Sequence, residues 1–123
     1  MRNRLPAALS GWFAGRNWAP HPHQLEMLDA AAAGRSALLI APTGGGKTLA
    51  GFLPSLVELT RTDAPPEGLH TLYISPLKAL AVDIHRNLEI PIAEMGLPIR
   101  AETRTGDTPQ SKRQRQRRSP PQM

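Results

Sequence analysis

The sequence has no cysteine, and only 4% of its residues are aromatic. The absence of cysteine excludes disulfide frameworks, thiolate metal sites and cysteine nucleophiles. The longest apolar run, residues 36–41, is far shorter than the roughly 18 residues that a membrane helix needs, so we expect no membrane partner. We expect the 123 residues to form one domain at most.

Positive charge is concentrated near the C-terminus. The net charge is +5, and residues 101–123 carry six basic and two acidic side chains, against nine and eight in residues 1–100. The N-terminus is also basic, with no acidic residue before Glu26, but Pro6 interrupts its apolar stretch and no small-residue cleavage site follows. We therefore expect a cytoplasmic protein rather than one with a targeting peptide.

Hydrophobic periodicity predicts alternating helices and strands along most of the chain. The predicted helices are residues 22–33, residues 47–59 with a bend at Pro54, and a helix from Leu77 that ends or kinks at Pro91 or Gly96. The predicted strands are residues 37–40, 69–75 and 99–103. This alternation indicates an α/β fold, with a parallel sheet and helices on both faces.

The tail, residues 108–123, is polar and basic and offers no apolar face. Its cations, from Lys112 to Arg118, suit either a solvated helix face or a surface that binds an anionic partner. A parallel sheet of only three strands would have an exposed edge, so we expect the chain to be a fragment and to aggregate when it is expressed alone.

A glycine-rich loop follows the first predicted strand and precedes a predicted helix, as a phosphate-binding loop requires. It reads Ala-Pro-Thr-Gly-Gly-Gly-Lys-Thr from Ala41 to Thr48. Consecutive glycines let several backbone amides point at one polyphosphate, and the helix start adds a positive dipole end. Lys47 would reach the β- and γ-phosphates, and the Thr48 hydroxyl would bind Mg²⁺. The residues expected to hold the nucleotide are Thr43, Gly44, Gly45, Gly46, Lys47 and Thr48.

This loop resembles motif I of superfamily 2 helicases, which begins with Ala or Ser followed by Pro-Thr-Gly. Pro22-His23-Gln24 lies upstream where those helicases have the Q motif. The resemblance implies that ATP is the nucleotide and that Gln24 contacts its adenine, since an amide both donates and accepts hydrogen bonds. Taken alone, Gln24 would be interpreted as an exposed polar residue in the first turn of a helix, and motif I nearby favours the adenine contact instead. Trp12, Phe13 and Trp18 are candidates for packing near the adenine or for ordinary core positions.

Two further segments resemble the nucleic-acid motifs of this helicase family. Ser75-Pro76-Leu77-Lys78 follows the second predicted strand, like motif Ia, and Arg104-Thr105-Gly106-Asp107 follows the third. The resemblance implies that these segments hold the phosphate backbone of single-stranded DNA. Their simpler interpretations are a solvated lysine at a helix start and an Asp-containing turn that caps the next helix. The candidate nucleic-acid residues are Ser75, Pro76, Lys78, Arg104, Thr105, Gly106 and Asp107.

Over nearly its whole length the chain resembles the ligase-associated DEXH-box DNA helicases of the long-helicase-related group. That resemblance implies an incomplete N-terminal RecA-like P-loop domain at residues 21–123, after an extension at residues 1–20. It also implies ATP-dependent movement on single-stranded DNA in DNA repair, alongside a DNA ligase and a nuclease.

The sequence departs from this family where hydrolysis is concerned. It has no Asp-Glu-x-His box to hold Mg²⁺ and orient water, so we expect the chain to bind ATP without significant hydrolysis. The alternative function is a non-catalytic basic module with a vestigial phosphate loop. A small P-loop kinase is disfavoured, because Gln24 and the Ser75–Lys78 segment would have no role in one.

Overall fold

The computed structural model describes residues 5–40, 47–61 and 68–123. The chain divides into two compact units, Met1–Thr62 and Asp63–Met123. Helices α1 (Ala7–Gly15), α2 (Pro22–Ala32) and α3 (Lys47–Thr60) belong to the first unit, and α4 (Lys78–Met95) and α5 (Gln110–Arg118) belong to the second. No helix in the described ranges combines the length and the apolar character needed to cross a membrane.

Helix α2 packs against α3 in the N-terminal unit. Both helices lie close to their predicted positions, and α2 begins with Pro22, whose fixed φ suits a first helical turn. Gly34 follows α2 with a φ of +70°, a left-handed conformation that ends the helix at little steric cost. Helix α3 supplies six buried apolar residues of this unit, including Leu53 and Leu56, which have no exposed surface.

Helix α1 was not predicted from the sequence. It buries Leu9 and Phe13 and has no side-chain cap at Pro6, so no capping residue signals its start. Its glycine and serine residues also weaken the periodic pattern on which a helix prediction depends.

The long helix of the C-terminal unit, α4, continues through Pro91 and ends at Gly96. Gly96 has a φ of +64°, and the amide of Leu97 donates to the carbonyl of Ile92 at 3.0 Å. This is the usual way in which a left-handed glycine closes a helix. Of the two predicted stops, Gly96 is the one that ends the helix.

The three predicted strands are not confirmed, because the described residues contain no β-strand. Leu38 and Ile40, predicted to lie in a buried strand, are 86% and 85% exposed, and Ile74 of the second predicted strand is 81% exposed. A parallel strand is stabilised only when other strands pair with its edges and helices cover its faces. An apolar run therefore indicates that a segment prefers the strand conformation, but it does not show which neighbouring strands and helices would stabilise that strand.

Extended segments of the C-terminal unit are nevertheless linked through the last residues of the chain. The carbonyl of Gln122 accepts hydrogen bonds from the amides of His70 and Thr71, both at 2.9 Å. Met123 donates to the carbonyl of Arg100 at 3.2 Å and accepts from the amide of Glu102 at 3.1 Å, the pattern of a parallel pair. Residues 121–123 are buried, so the end of the polar tail takes part in the packing of this unit.

Helix α5 holds the carboxylate of Glu102. Arg115 Nη2 lies 2.8 Å from Glu102 Oε1, and the Gln116 amide donates to the same oxygen at 3.1 Å. Burial raises the pKa of Glu102, but the hydrogen bonds from Arg115 and Gln116 and the charges of Arg115 and Arg100 bring the pKa below its ordinary value. The ionised form of Glu102 therefore stabilises the folded unit.

Leu53→Ala should lower the free energy of unfolding of the N-terminal unit by about 2–5 kcal/mol, because it removes buried methyl groups and leaves a cavity. The matched control is Leu38→Ala at a position 86% exposed, which should change stability by about 0.5 kcal/mol or less. Urea unfolding followed by far-ultraviolet circular dichroism measures both. Equal effects of the two substitutions would contradict the described core.

Glu102→Gln should destabilise the C-terminal unit at neutral pH. Because the folded pKa lies below the ordinary value of 4.5, the stabilisation by Glu102 is fully present above 4.5 and is lost as pH falls through the folded pKa. The difference in unfolding free energy between the wild type and Glu102→Gln should therefore shrink in acid. Urea titrations of both proteins across this pH range test it, and a difference that does not change with pH would contradict the stabilisation by ionised Glu102.

Candidate nucleotide and nucleic-acid sites

Lys47 and Thr48 form the first turn of α3, and both are exposed. No acidic residue lies in that turn, so the Lys47 ammonium faces no competing carboxylate from the first turn of its own helix. These residues fit a phosphate group and an Mg²⁺ ion at the helix start. The predicted loop residues Thr43, Gly44, Gly45 and Gly46 lie outside the described residues.

Gln24 is buried, with 2% of its surface exposed, at the start of α2. Its Oε1 accepts a hydrogen bond from the backbone amide of His21 at 2.8 Å, as in a capping box. The side chain thus has a structural role at the helix N-terminus. Its predicted contact with adenine stays a prediction, and such a contact would have to share or replace the bond to His21.

The tryptophans next to this helix form an aromatic pair with an arginine. The Arg16 guanidinium lies 5.0 Å from the ring centre of Trp12 and 5.1 Å from that of Trp18, within the range of cation–π contacts. Phe13 is buried in the unit, whereas Trp18 is half exposed. Phe13 therefore occupies a core position, and Trp18 keeps an accessible ring.

The two predicted nucleic-acid segments meet in the C-terminal unit. Lys78, the first residue of α4, pairs its Nζ with Oδ2 of Asp107, 29 residues later in the chain. Both side chains are exposed, by 58% and 74%. The hydrogen bond from Lys78, together with its charge, lowers the pKa of Asp107. The pair therefore keeps an ammonium group and a carboxylate side by side at the surface.

Ser75 and Pro76 precede α4. The Ser75 hydroxyl donates to the carbonyl of Leu77 at 3.3 Å, and Pro76 is exposed. The first turn of α4 also lacks an acidic residue. Apart from Asp107, therefore, the start of this helix is suited to an anion.

Residues 105–108 form a compact turn. The amide of Thr108 donates to the carbonyl of Thr105 at 3.1 Å, and the amide of Thr105 donates to Oγ1 of Thr108 at 2.8 Å. Asp107 donates its amide to Oγ1 of Thr105 at 3.2 Å. Arg104 and Gly106 are exposed beside it. The turn thus presents a cation, a glycine and a carboxylate together.

Arg113 also contacts this turn, although the sequence indicated it only as one cation of the basic run from Lys112 to Arg118. Its Nη2 donates to the carbonyl of Thr105 at 2.6 Å and its Nε to the carbonyl of Thr108 at 3.1 Å. The sequence alone did not distinguish Arg113 from the other cations between Lys112 and Arg118. An arginine one turn into a helix is nevertheless well placed to fold back over the turn that precedes it.

The described residues contain no group of three or more His, Asp and Glu side chains that could hold a metal ion. Magnesium binding by Thr48 therefore remains a prediction that depends on the bound nucleotide, since Mg²⁺ in such sites is held largely by phosphate oxygens and water.

Comparison with known proteins identifies the family of the chain. Residues 21–123 match the family model of the DEAD/DEAH box helicases. The chain is 40% identical over 131 aligned residues to the Lhr helicase/probable uracil glycosylase of Mycolicibacterium smegmatis, covering 98% of this chain and 9% of that protein. It is 43% identical over 102 residues to the ATP-dependent helicase Lhr-Core of Methanothermobacter thermautotrophicus, covering 73% of this chain and 12% of that protein.

A solved structure is also similar. The crystal structure of the DUF1998 helicase MrfA bound to DNA and AMPPNP matches with a TM-score of 0.82 and 30% identity, over 97% of this chain and 16% of that chain. The chain therefore spans a small part of each of these relatives. The predicted kinship with the long-helicase-related group is confirmed, and the family implies a RecA-like fold. The chain belongs to the DEAD/DEAH box helicase family.

Proposed function

We propose that this chain is the ATP-binding part of an ATP-dependent helicase that moves along single-stranded DNA. The observation that carries the proposal is the contact between Lys78 and Asp107, which brings two separately predicted nucleic-acid segments to one surface. The family membership and the exposed Lys47 and Thr48 at a helix start support the nucleotide half of the proposal.

In this proposal each unit binds one kind of phosphate. Lys47 binds the β- and γ-phosphates of ATP, and Thr48 holds the Mg²⁺ ion that neutralises part of their charge. Lys78 and Arg104 bind phosphates of the DNA backbone, with the amides at the start of α4 as further donors. Such contacts position a strand without recognising its bases.

Hydrolysis needs groups that this sequence does not contain. The Asp-Glu-x-His box, whose acidic residues would hold Mg²⁺ and orient the attacking water, is missing from these 123 residues. The 123-residue chain should therefore bind ATP without DNA-stimulated turnover.

The cellular role is the finer part of the proposal. We place the chain in DNA repair in the cytoplasm, with a DNA ligase and a nuclease as partners. The resemblance to the ligase-associated group, in which these proteins act together, supports this assignment.

Lys47→Ala should weaken ATP binding by the 123-residue chain at least about tenfold, because a charged hydrogen bond contributes roughly 1.5–3 kcal/mol. Isothermal titration with Mg-ATP measures this effect. Lys112→Ala, a lysine on α5 outside the proposed site, is the matched control and should leave the affinity unchanged. Unaltered binding by Lys47→Ala would refute the nucleotide assignment.

Lys78→Ala should weaken binding of single-stranded DNA about equally for all sequences. It should also reduce the steepness of the plot of log affinity against log salt concentration by about one, which is the contribution of one phosphate contact. Asp107→Asn should raise the affinity by up to about fivefold, since it frees Lys78 from its counter-ion and removes a repulsive charge. Fluorescence anisotropy with oligothymidine and mixed-sequence strands measures both.

The gain from Asp107→Asn should be smaller when Lys78 is already alanine, because part of it acts through Lys78. Loss of binding restricted to particular sequences, or no response to Lys78→Ala, would argue against a phosphate contact at this surface.

A further inference from the structure

The guanidinium of Arg113 closes over the turn at residues 105–108. Two of its nitrogens donate to two different carbonyls of the turn, Nη2 to Thr105 at 2.6 Å and Nε to Thr108 at 3.1 Å. These carbonyls lie on either side of Gly106 and Asp107. Arg113, which is not part of the turn, therefore links its first residue to its last residue.

We propose that Arg113 is a positioning residue that holds the Thr105–Thr108 turn, and Arg104 directly before it, in the conformation that binds DNA. The proposal rests on the proposed function of this surface. It assigns a role to the basic segment of α5 that differs from direct contact with an anionic partner.

The chemistry of the contact requires an arginine. A guanidinium is planar and presents its N–H groups in a fixed fork, so it satisfies two carbonyls at once with little loss of side-chain freedom. An ammonium group on a flexible stem has the same charge but does not reproduce this geometry. Arg113→Lys therefore removes the two-carbonyl contact while leaving the net charge unchanged.

The turn has its own hydrogen bonds, but they are few and local. Thr105 and Thr108 bond to each other, and the Asp107 amide bonds to the Thr105 hydroxyl. The Thr105 carbonyl accepts from both the Thr108 amide and Arg113, so the guanidinium adds to an existing bond of the turn. Without it the turn would sample more conformations, and DNA binding would have to order it at an entropic cost.

The neighbouring arginines of α5 provide matched controls. Arg117 and Arg118 lie on the same helix and are exposed, whereas Arg113 is partly buried against the turn. A general effect of basic charge on DNA binding would appear at all three positions. A positioning effect would appear at Arg113 alone.

Amide hydrogen exchange tests, without DNA, whether Arg113 stabilises the turn at residues 105–108. In Arg113→Lys, the amides of Thr105, Asp107 and Thr108 should exchange about tenfold faster or more, because the turn opens more often. The amides of His70 and Thr71, which bond to Gln122, report on the stability of the same unit and should keep their rates. Arg117→Lys should change none of them.

Single-stranded DNA binding tests the consequence. Arg113→Lys should lower the affinity of the 123-residue chain for oligothymidine by about three- to tenfold, with the salt slope unchanged. If Arg113 were itself a phosphate contact, Arg113→Ala would reduce the salt slope by about one. An unchanged slope in both variants supports positioning.

The outcomes separate this proposal from the proposed function. Unchanged exchange of the turn amides in Arg113→Lys, or equal acceleration at His70 and Thr71, overturns the positioning role. If the turn amides exchange faster in Arg113→Lys but Lys78→Ala has no effect on DNA binding, the positioning role of Arg113 is supported and the proposed DNA-binding function of this surface is overturned. A lower salt slope in Arg113→Ala, or equal losses at Arg113 and Arg117, shows direct charge contacts and also overturns the positioning role.

Discussion

Backbone hydrogen bonding by Gln122 and Met123 is the constraint on which the C-terminal unit depends. These two residues bond to His70 and Thr71 on one segment and to Arg100 and Glu102 on another, so segments distant in sequence are fixed together. The first segment leads to Lys78 at the start of α4, and the second leads to Asp107. Lys78 and Asp107, which follow these two segments along the chain, are in contact with each other.

Helices α2, α3 and α4 were predictable because their signals are local. Pro22 and Gly34 mark the ends of α2, Lys47 begins α3 directly after the glycine-rich loop, and Gly96 closes α4. The strands were not confirmed because their stability depends on partners that no local pattern specifies. Leu38 shows the difference clearly, since its apolar neighbours predict burial and yet 86% of its surface is exposed. Helix α1 was missed because it has neither a capping residue nor a strong apolar period.

The candidate sites were predictable as motifs but not as contacts. The sequence identified Lys78 and Asp107 as separate candidates, and only the fold shows that they neutralise each other's charge. Gln24 was predicted to contact a base, and the structure gives it a hydrogen bond at a helix start as well. The arginines of α5 form a run of positive charge, and the sequence alone did not show which of them bond within the chain and which are exposed. Arg113 and Arg115 bond to groups of the chain itself, and Arg117 and Arg118 remain exposed.

The aromatic pair around Arg16 has a spectroscopic consequence. Trp12 and Trp18 are the two tryptophans of the sequence, and both lie in the N-terminal unit, whereas the single tyrosine, Tyr73, lies in the other. Indole emission is sensitive to a cation held close to the ring and to the solvent around it. Fluorescence excited selectively in tryptophan therefore reports on the N-terminal unit alone. The two halves of this chain carry distinct optical labels without any chemical modification.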